Sequence, residues 1–304
     1  MTLTSSRKGI NATVNDIKQL GELLLPLLKK GQSIYSILQS HKEIKLSEKT
    51  IYNYIENGVF QDVGVSISTI DLKRVVRRKM SKQKRNTYKP RKDNRYLIGR
   101  KYSDFLMYME KNSDAKVVEM DTVYNDISNG PFLQTFKFRE YDLLICIYQT
   151  VKDSLHMLDG ILLLEKILGK EMFEKEVEVI LTDRGSEFIL AEEAEIREDG
   201  MRRTRMFYCD SMASWQKGSL ENVHLLVREI CPKGCDLHAL GLTSQEKANL
   251  ISTNINSYPK EKLHGRSSIQ LLHFYNEEMA KRLHDFGITE IPPDKVILKP
   301  YLLK

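Results

Sequence analysis

Over the first sixty positions apolar residues recur at intervals of three and four. In 15–30, NDIKQLGELLLPLLKK, the residues Leu20, Leu23, Leu24, Leu27 and Leu28 recur at helical spacing, and Pro26 is expected to kink or break the run, giving an amphipathic helix pair. In 31–41, GQSIYSILQSH, Ile34, Ile37 and Leu38 share a face. A polar turn at 43–46 follows, and then Ser47 stands as an N-cap for SEKTIYNYIENG, where Ile51 and Ile55 lie four apart and Gly58 stops the helix. A helix, a short turn and a capped second helix are the pattern of a helix-turn-helix, whose second helix enters the major groove of DNA. Any small α-helical domain contains consecutive helices of this kind, so the pattern also fits a plain bundle. With Ile51 and Ile55 turned inward, Lys49, Thr50 and Asn53 point outward beside Ser47, and these four are the candidates for base contact.

From residue 102 the periodicity changes. A short amphipathic helix over 102–110 leads to a strand at 116–124, and the apolar runs 132–138 and 143–150 are close enough to continue it as an antiparallel meander. A helix over 154–168 and a buried strand at 178–182 follow, with the latter beside the first strand. A polar, acidic stretch, AEEAEIREDGMRRTR, turns at Asp199-Gly200. Next come a short strand at 206–209 and helices over 219–230, 243–256 and 269–283, while the prolines of IPPDKVILKPYLLK predict an extended tail. The order predicts an α/β fold: a ribonuclease H-like mixed sheet as catalytic core, preceded by an all-α helix-turn-helix domain. The boundaries are 1–62 for the helix-turn-helix region, 63–101 for a linker, 102–258 for the core and 259–304 for a C-terminal helix and tail.

Composition bounds the class. With 304 residues, 41% hydrophobic and 29% charged, the chain suits two globular domains. The start, MTLTSSRKGI, lacks the apolar region of a signal peptide, and no apolar run approaches the roughly 18 residues of a membrane span, which predicts a cytoplasmic protein with no membrane partner. Four cysteines are too few for a disulfide framework at this length. Charge is uneven: residues 1–102 carry a net +14 and the remainder −8. The basic excess is densest over 71–101, which holds 14 Lys and Arg against two acids. Such a block is either a solvated linker or a polyanion contact, and beside a helical DNA-reading pattern the second gains, since Lys and Arg release counterions from phosphates.

The candidate chemistry centres on VILTDRGSEF, 179–188. Its apolar run stops at Asp183, and Gly185 is expected to let the backbone turn sharply outside the strand. Asp121 ends the strand-like KVVEMD, and Glu221 opens the helix-like GSLENVHLLVREI. Three carboxylates on three elements suit a divalent metal site for phosphoryl transfer, although surface or capping acids give the same pattern. Trp215, in SWQKG, is either core or a platform on which a base or sugar stacks. A zinc site from His224, Cys231, Cys235 and His238 would need His224 to reach back from mid-helix. Ser186 lacks a nucleophile elbow, and no P-loop is present.

VVEMDTV, ILTDRGSEF, RTRMFYCD, ASWQKGSLEN, the seven-residue step from Glu221 to Arg228, CPKG and INSYPKEKLHGRSS occur in this order, with EKTIYNYIENG ahead of them. Together they resemble the blocks of the IS-thirty family of bacterial insertion-sequence transposases, whose catalytic domain belongs to the retroviral-integrase superfamily. The resemblance covers nearly the whole chain. It implies a DDE triad of Asp121, Asp183 and Glu221, binding of terminal inverted repeats by the N-terminal domain, and action as a homo-oligomer on double-stranded DNA in the bacterial cytoplasm, at the nucleoid. The expectation is a DNA transposase whose triad holds two Mg²⁺ ions about 4 Å apart, or Mn²⁺ in their place, for cleavage at the element end and joining to target. Lys217, Arg228 and Arg184 are expected to neutralise phosphates near the scissile bond. The alternatives are a catalytically decayed relative that binds specific DNA without cutting it, and a nuclease that hydrolyses without joining.

Overall fold

Helix α1 (Val14–Lys29) runs unbroken through Pro26, where a helix pair was expected. Proline at 26 removes its own N–H from the ladder and crowds the carbonyl of residue 22, but Leu24, Leu27 and Leu28 on either side of it are all buried in one core, which favours continuity. The helix starts in a reciprocal cap: the Asp16 amide donates to Thr13 Oγ1 (3.2 Å) and the Thr13 amide to Asp16 Oδ2 (2.8 Å). The computed structural model describes residues 12–72, 95–126, 130–211 and 213–304, so most of the basic block lies outside the described residues, as does the N-terminal MTLTSSRKGI. Two compact units emerge: the described residues up to 72 together with Pro293–Ile297, and those from 95 onward with that short segment excepted.

In the first unit α2 (Ile34–Ser40) buries Ile34 and Ile37, and α3 (Glu48–Glu56) buries Ile51 and Ile55. The Thr50 amide donates to Ser47 Oγ at 3.1 Å, so Ser47 is the N-cap. Gly58, at φ +73°, turns the chain into α4 (Val59–Asp62), whose Phe60 packs into the same core. The C-terminal segment returns here, because Gln32 Nε2 donates to the carbonyls of Pro293 (2.8 Å) and Val296 (3.1 Å). The tail is not simply extended: Pro293–Lys295 and Pro300–Leu303 are 3-10 turns, which the fixed φ of proline favours.

The second unit begins with α5 (Tyr102–Lys111) and strands β1 (Val117–Val123), β2 (Phe132–Phe138) and β3 (Leu143–Gln149). Helices α6 (Ser154–Leu168) and α7 (Lys170–Glu176) precede β4 (Val179–Thr182); α8 (Ala191–Glu195) precedes β5 (Arg205–Tyr208). Sheet order is β3-β2-β1-β4-β5, with β1, β2 and β3 antiparallel and β1, β4 and β5 parallel. This is the ribonuclease H-like mixed α/β arrangement. Helices α9 (Gly218–Ile230), α10 (Gln245–Ser257), α11 (Ser268–Tyr275) and α12 (Glu277–Asp285) complete the unit. The single helix expected over 269–283 is divided because Asn276 leaves helical geometry and caps α12, accepting from the Met279 amide at 3.0 Å. No helix among the described residues is long and apolar enough to cross a membrane.

One face of the sheet carries Val118, Met120, Phe136, Ile145 and Ile180 against Met157, Ile161 and Leu164 of α6 and Leu272 and Leu283 of α11 and α12. On the other face Val117, Val179, Leu181 and Phe207 pack with Phe105 of α5. The edge strand β3 is closed by a polar helix face, an alternative to charged or proline edges. Asn256 of α10 accepts from the Leu144 amide (2.8 Å) and donates to its carbonyl (2.7 Å), and Ser252 accepts from Cys146 N (3.0 Å). Gly160 lets α6 sit on Gln134, since a Cβ there would lie 1.8 Å from Gln134 Oε1. That amide is pinned by a 2.8 Å bond to the Met157 carbonyl. Gly160→Ala is therefore expected to destabilise the unit by about 1–3 kcal/mol in urea unfolding, despite alanine's better helix propensity.

Candidate active site

The parallel pairing of β1 and β4 sets Val117 beside Val179 and Glu119 beside Leu181; Asp121 stands two residues further along β1, and Asp183 directly follows the end of β4. β1 continues to Val123, so Asp121 lies within the strand rather than at its end. Each aspartate spends one oxygen locally: Asp121 Oδ1 accepts from Thr122 N (2.7 Å) and Asp183 Oδ1 from Gly185 N (2.8 Å). The other oxygens face one cation. Lys217 Nζ lies 3.1 Å from Asp121 Oδ2 and 3.8 Å from Asp183 Oδ2, and it donates to the Met120 carbonyl at 3.3 Å.

Lys217 ends the 3-10 turn Ser214–Lys217 and is buried. Burial alone would lower its pKa, but the charges of Asp121 and Asp183 outweigh burial and hold it above the ordinary lysine value. Burial raises the pKa of Asp183 above the usual carboxylate range; Asp121 adds to the rise and Lys217 opposes it. Two carboxylates and a carbonyl around a cation are an oxygen-only donor set, the kind that suits Mg²⁺ or Mn²⁺. Gly185 serves this arrangement differently from expectation. Its φ of −59° is ordinary, but a Cβ would lie 2.6 Å from Glu187 Oε2 and 2.9 Å from Asp183 Oδ1. Glycine here leaves room for the Glu187 and Asp183 carboxylates to close over the backbone.

Glu221 lies in the first turn of α9 and is exposed. The helix start is tied to β1, since the Leu220 amide donates to Glu119 Oε2 at 2.5 Å while Arg139 Nε donates to Glu119 Oε1 at 2.7 Å. Among the described residues no three His, Cys, Asp or Glu are grouped closely enough to hold a metal. The structure thus joins two of the three expected acids, and Lys217 supplies their counter-charge. His224 packs one turn along. Its Nε2 is 3.0 Å from Thr135 Oγ1, which itself donates to the Asp121 carbonyl at 3.0 Å, so Nε2 carries the proton. Burial pushes the His224 pKa down to about 4, with Lys217 and Arg228 adding to the fall against Asp121, and the ring is neutral at pH 7.

The expected phosphate ligands are occupied with protein. Arg184 donates to the Cys209 carbonyl (3.0 Å) and to Asp210 (2.8 Å), and Gln216 donates to the same carboxylate (3.0 Å). Arg184 therefore braces the segment that delivers Lys217. Arg228 donates to Asn125 Oδ1 (2.7 Å) and to the Tyr124 carbonyl (3.0 Å), while Asn125 holds the carbonyls of Pro232 (2.7 Å) and Cys235 (2.6 Å). Trp215 is not core: it is 72% exposed, edge-on to Tyr102. In the first unit Lys49 and Asn53 are exposed, whereas Ser47 Oγ is engaged as a cap and bonds Thr50 Oγ1 at 2.8 Å. The zinc arrangement finds no support, since His224, Cys231, Cys235 and His238 form no group of three close enough to hold a metal. All four cysteines are free.

Sequence reasoning passed over Glu119, Thr135 and Asn125 and weighed His224 only as a zinc ligand. For Glu119 the signal was present. It stands two residues before Asp121 in a strand, hence on the same face.

No family model matches the sequence. The chain is similar to insertion-sequence transposases. It is 37% identical over 68 residues to the transposase for insertion sequence element IS1086 of Cupriavidus metallidurans, covering 22% of this chain and 19% of that protein. It is 25% identical over 236 residues to the probable transposase for insertion-like sequence element IS1161 of Streptococcus salivarius, covering 77% of this chain and 60% of the relative. The chain thus spans about a fifth and three fifths of these two relatives. Among solved structures, the HTLV-2 integrase catalytic core domain in complex with magnesium matches 51% of this chain and 94% of its own at 15% identity and a TM-score of 0.33. The intasome of simian T-cell lymphotropic virus in complex with a PP2A regulatory subunit matches 52% and 55% at 14% identity and 0.33. The fold class rests on the strand order above.

Proposed function

We propose that this chain is a DNA transposase of the DDE type, similar to the IS-thirty family, that cleaves and joins DNA strands with a divalent metal. The observation that carries the reading is the pair Asp121, on β1, and Asp183, directly after the neighbouring parallel strand β4, sharing one cationic partner. Similarity to two transposases supports it. Asp121 and Asp183 would hold the metal, two ions of Mg²⁺ or Mn²⁺, with Glu221 at the start of α9 as the third carboxylate of the set. Bound there, the metal supplies Lewis-acid stabilisation of charge at phosphorus and activation of water or a 3′-hydroxyl. Glu119 and Arg139 fix the helix start that carries Glu221, and neutral His224 holds Thr135 against the β1 backbone beside Asp121. Lys217, Arg184 and Arg228 give the site positive potential toward DNA phosphates, the two arginines while keeping their protein hydrogen bonds. Trp215 stacks on a base or sugar.

The first unit reads the terminal inverted repeats through α3, with Lys49 and Asn53 at base edges and Ser47 and Thr50 at the helix start. Lys49→Ala or Asn53→Ala is expected to weaken end binding by roughly 1–3 kcal/mol while leaving affinity for unrelated duplex largely intact. Competition binding with both DNAs at one salt concentration checks this, and equal loss on both would reduce these side chains to phosphate contacts. The protein acts as a homo-oligomer on element ends and target, in the cytoplasm at the nucleoid. A gel assay of strand cleavage and joining on end-sequence duplex, with Mg²⁺ or with EDTA, tests the catalytic reading. The alternative, a specific DNA-binding protein without catalysis, gives full binding and no metal-dependent nick.

A further inference from the structure

Lys217 is an unusual neighbour for two acids assigned to metal. Its ammonium is buried, fixed at 3.1 Å and 3.8 Å from the two aspartates and at 3.3 Å from the Met120 carbonyl, and it fills the space between their Oδ2 atoms. Like charges this close repel, and one shared cation relieves the repulsion. We infer that Lys217 is a built-in stand-in for the divalent cation, which it excludes from DNA-free protein and admits when the ammonium moves onto a DNA phosphate. The inference rests on the reading of Asp121 and Asp183 as metal carboxylates.

The surroundings fit a movable group. Lys217 closes a short 3-10 turn rather than a strand or long helix, and the turn exposes Trp215 two residues away. The flanking anchors are separate from the ammonium: Gln216 is tied to Asp210, and Leu220 to Glu119. The Lys217 side chain can therefore swing while the turn and the start of α9 stay attached. An ammonium and a divalent ion competing for the same oxygens cannot both be bound tightly, since their repulsion at this range is several-fold larger than thermal energy. Metal and DNA binding then strengthen each other by linkage. DNA withdraws the lysine and metal occupies the oxygens it leaves. The arrangement would restrain metal-driven nicking chemistry until a substrate phosphate is present.

The test is Mn²⁺ binding by calorimetry in the full chain, followed in parallel by fluorescence of Trp215, the sole tryptophan. Without DNA, Lys217→Met is expected to bind Mn²⁺ at least about 10-fold tighter than wild type, and Lys217→Arg no tighter than wild type. Wild type should gain affinity when end-sequence duplex is added, and Lys217→Met should gain much less. Removing the lysine leaves two acids unneutralised, so Lys217→Met should melt lower in EDTA and recover with Mg²⁺, a stability readout independent of activity. Equal or weaker Mn²⁺ binding by Lys217→Met, or a lowered melting point that Mg²⁺ does not restore, overturns the inference. Adding Asp121→Asn separates the two levels of interpretation. If it abolishes Mn²⁺ binding while Lys217→Met gains nothing, the stand-in role fails and the metal site survives. If it leaves binding unchanged in every background, the metal site itself is wrong and the inference falls with it.

Discussion

Asp121→Asn should reduce strand cleavage and joining by roughly 10³-fold or more, since a metal-borne stabilisation of several kcal/mol disappears with the charge that holds the ion. Asparagine preserves size and one carbonyl oxygen, which can still accept from Thr122 N, so that local bond survives. What it lacks is the anionic Oδ2 that lies 3.1 Å from Lys217 Nζ and would face the metal. Asp183, 3.8 Å from the same nitrogen, and Glu221 would then have to hold the ion without the carboxylate on β1. Because the side chain is partly exposed and the strand around it is anchored on both sides, folding should be nearly unaffected. Single-turnover gel assays with circular dichroism and DNA binding as controls separate the outcomes. A variant that folds and binds DNA but cuts at the wild-type rate removes Asp121 from the chemistry.

The second large effect is on stability. Asp142, at φ +52°, closes the turn from β2 to β3 and is surrounded by Lys137, Lys260 and Lys262. Lys260 Nζ lies 2.7 Å from Asp142 Oδ2 and 3.0 Å from its carbonyl, which also accepts from Ser268 Oγ at 2.7 Å, so one acid ties the strand turn to the segment before α11. Asp142→Asn leaves Lys137 and Lys260 buried without a counter-charge, a change expected to cost about 3–5 kcal/mol in urea unfolding at pH 7. Asparagine is chosen because it tolerates the left-handed backbone. Burial would raise the Asp142 pKa, but Lys260 and Lys137 outweigh it and hold it at about 2, below the ordinary 3.8. A carboxyl depressed on folding stabilises fully above its unfolded pKa. Its contribution is lost as pH falls from about 4 toward 2. Wild-type stability should decline across that window more steeply than that of Asp142→Asn. Parallel declines would mean that other acids carry the acid limb.

Much of the second unit could be read from period and boundary signals. The runs at 132–138 and 154–168 coincide with β2 and α6, because Phe132, Phe136 and Phe138 recur at strand spacing and Met157, Ile161, Leu164 and Leu168 at helical spacing. Two acids of the candidate site were also legible, since each follows such a run. What escaped depended on partners distant in sequence. α10 buries Ser252 and Asn256, which no amphipathic pattern marks as a core face; their purpose is set by the bare edge of β3. Lys137 looks like a solvent-facing residue of an alternating strand, yet it is buried because Asp142 and the 260–268 segment meet there. Pro26 failed to break α1 because tertiary packing of the leucines outweighs one missing bond. Lys217 was read as a phosphate ligand, whereas the structure places it first between Asp121 and Asp183. Arg184 and Arg228 likewise have carbonyl and carboxylate or amide partners that only the fold brings near.

The central claim, that Asp121 and Asp183 serve metal-dependent transfer of DNA strands, is tested most directly by incubating wild-type protein with end-sequence duplex and target DNA and resolving the products. With Mg²⁺ the account predicts a nick at the element end followed by a covalently joined end-target product, neither of which forms in EDTA or with Asp183→Asn. Stable, specific DNA binding with no nick under Mg²⁺ or Mn²⁺, or cleavage that proceeds equally well in Asp183→Asn, would contradict it.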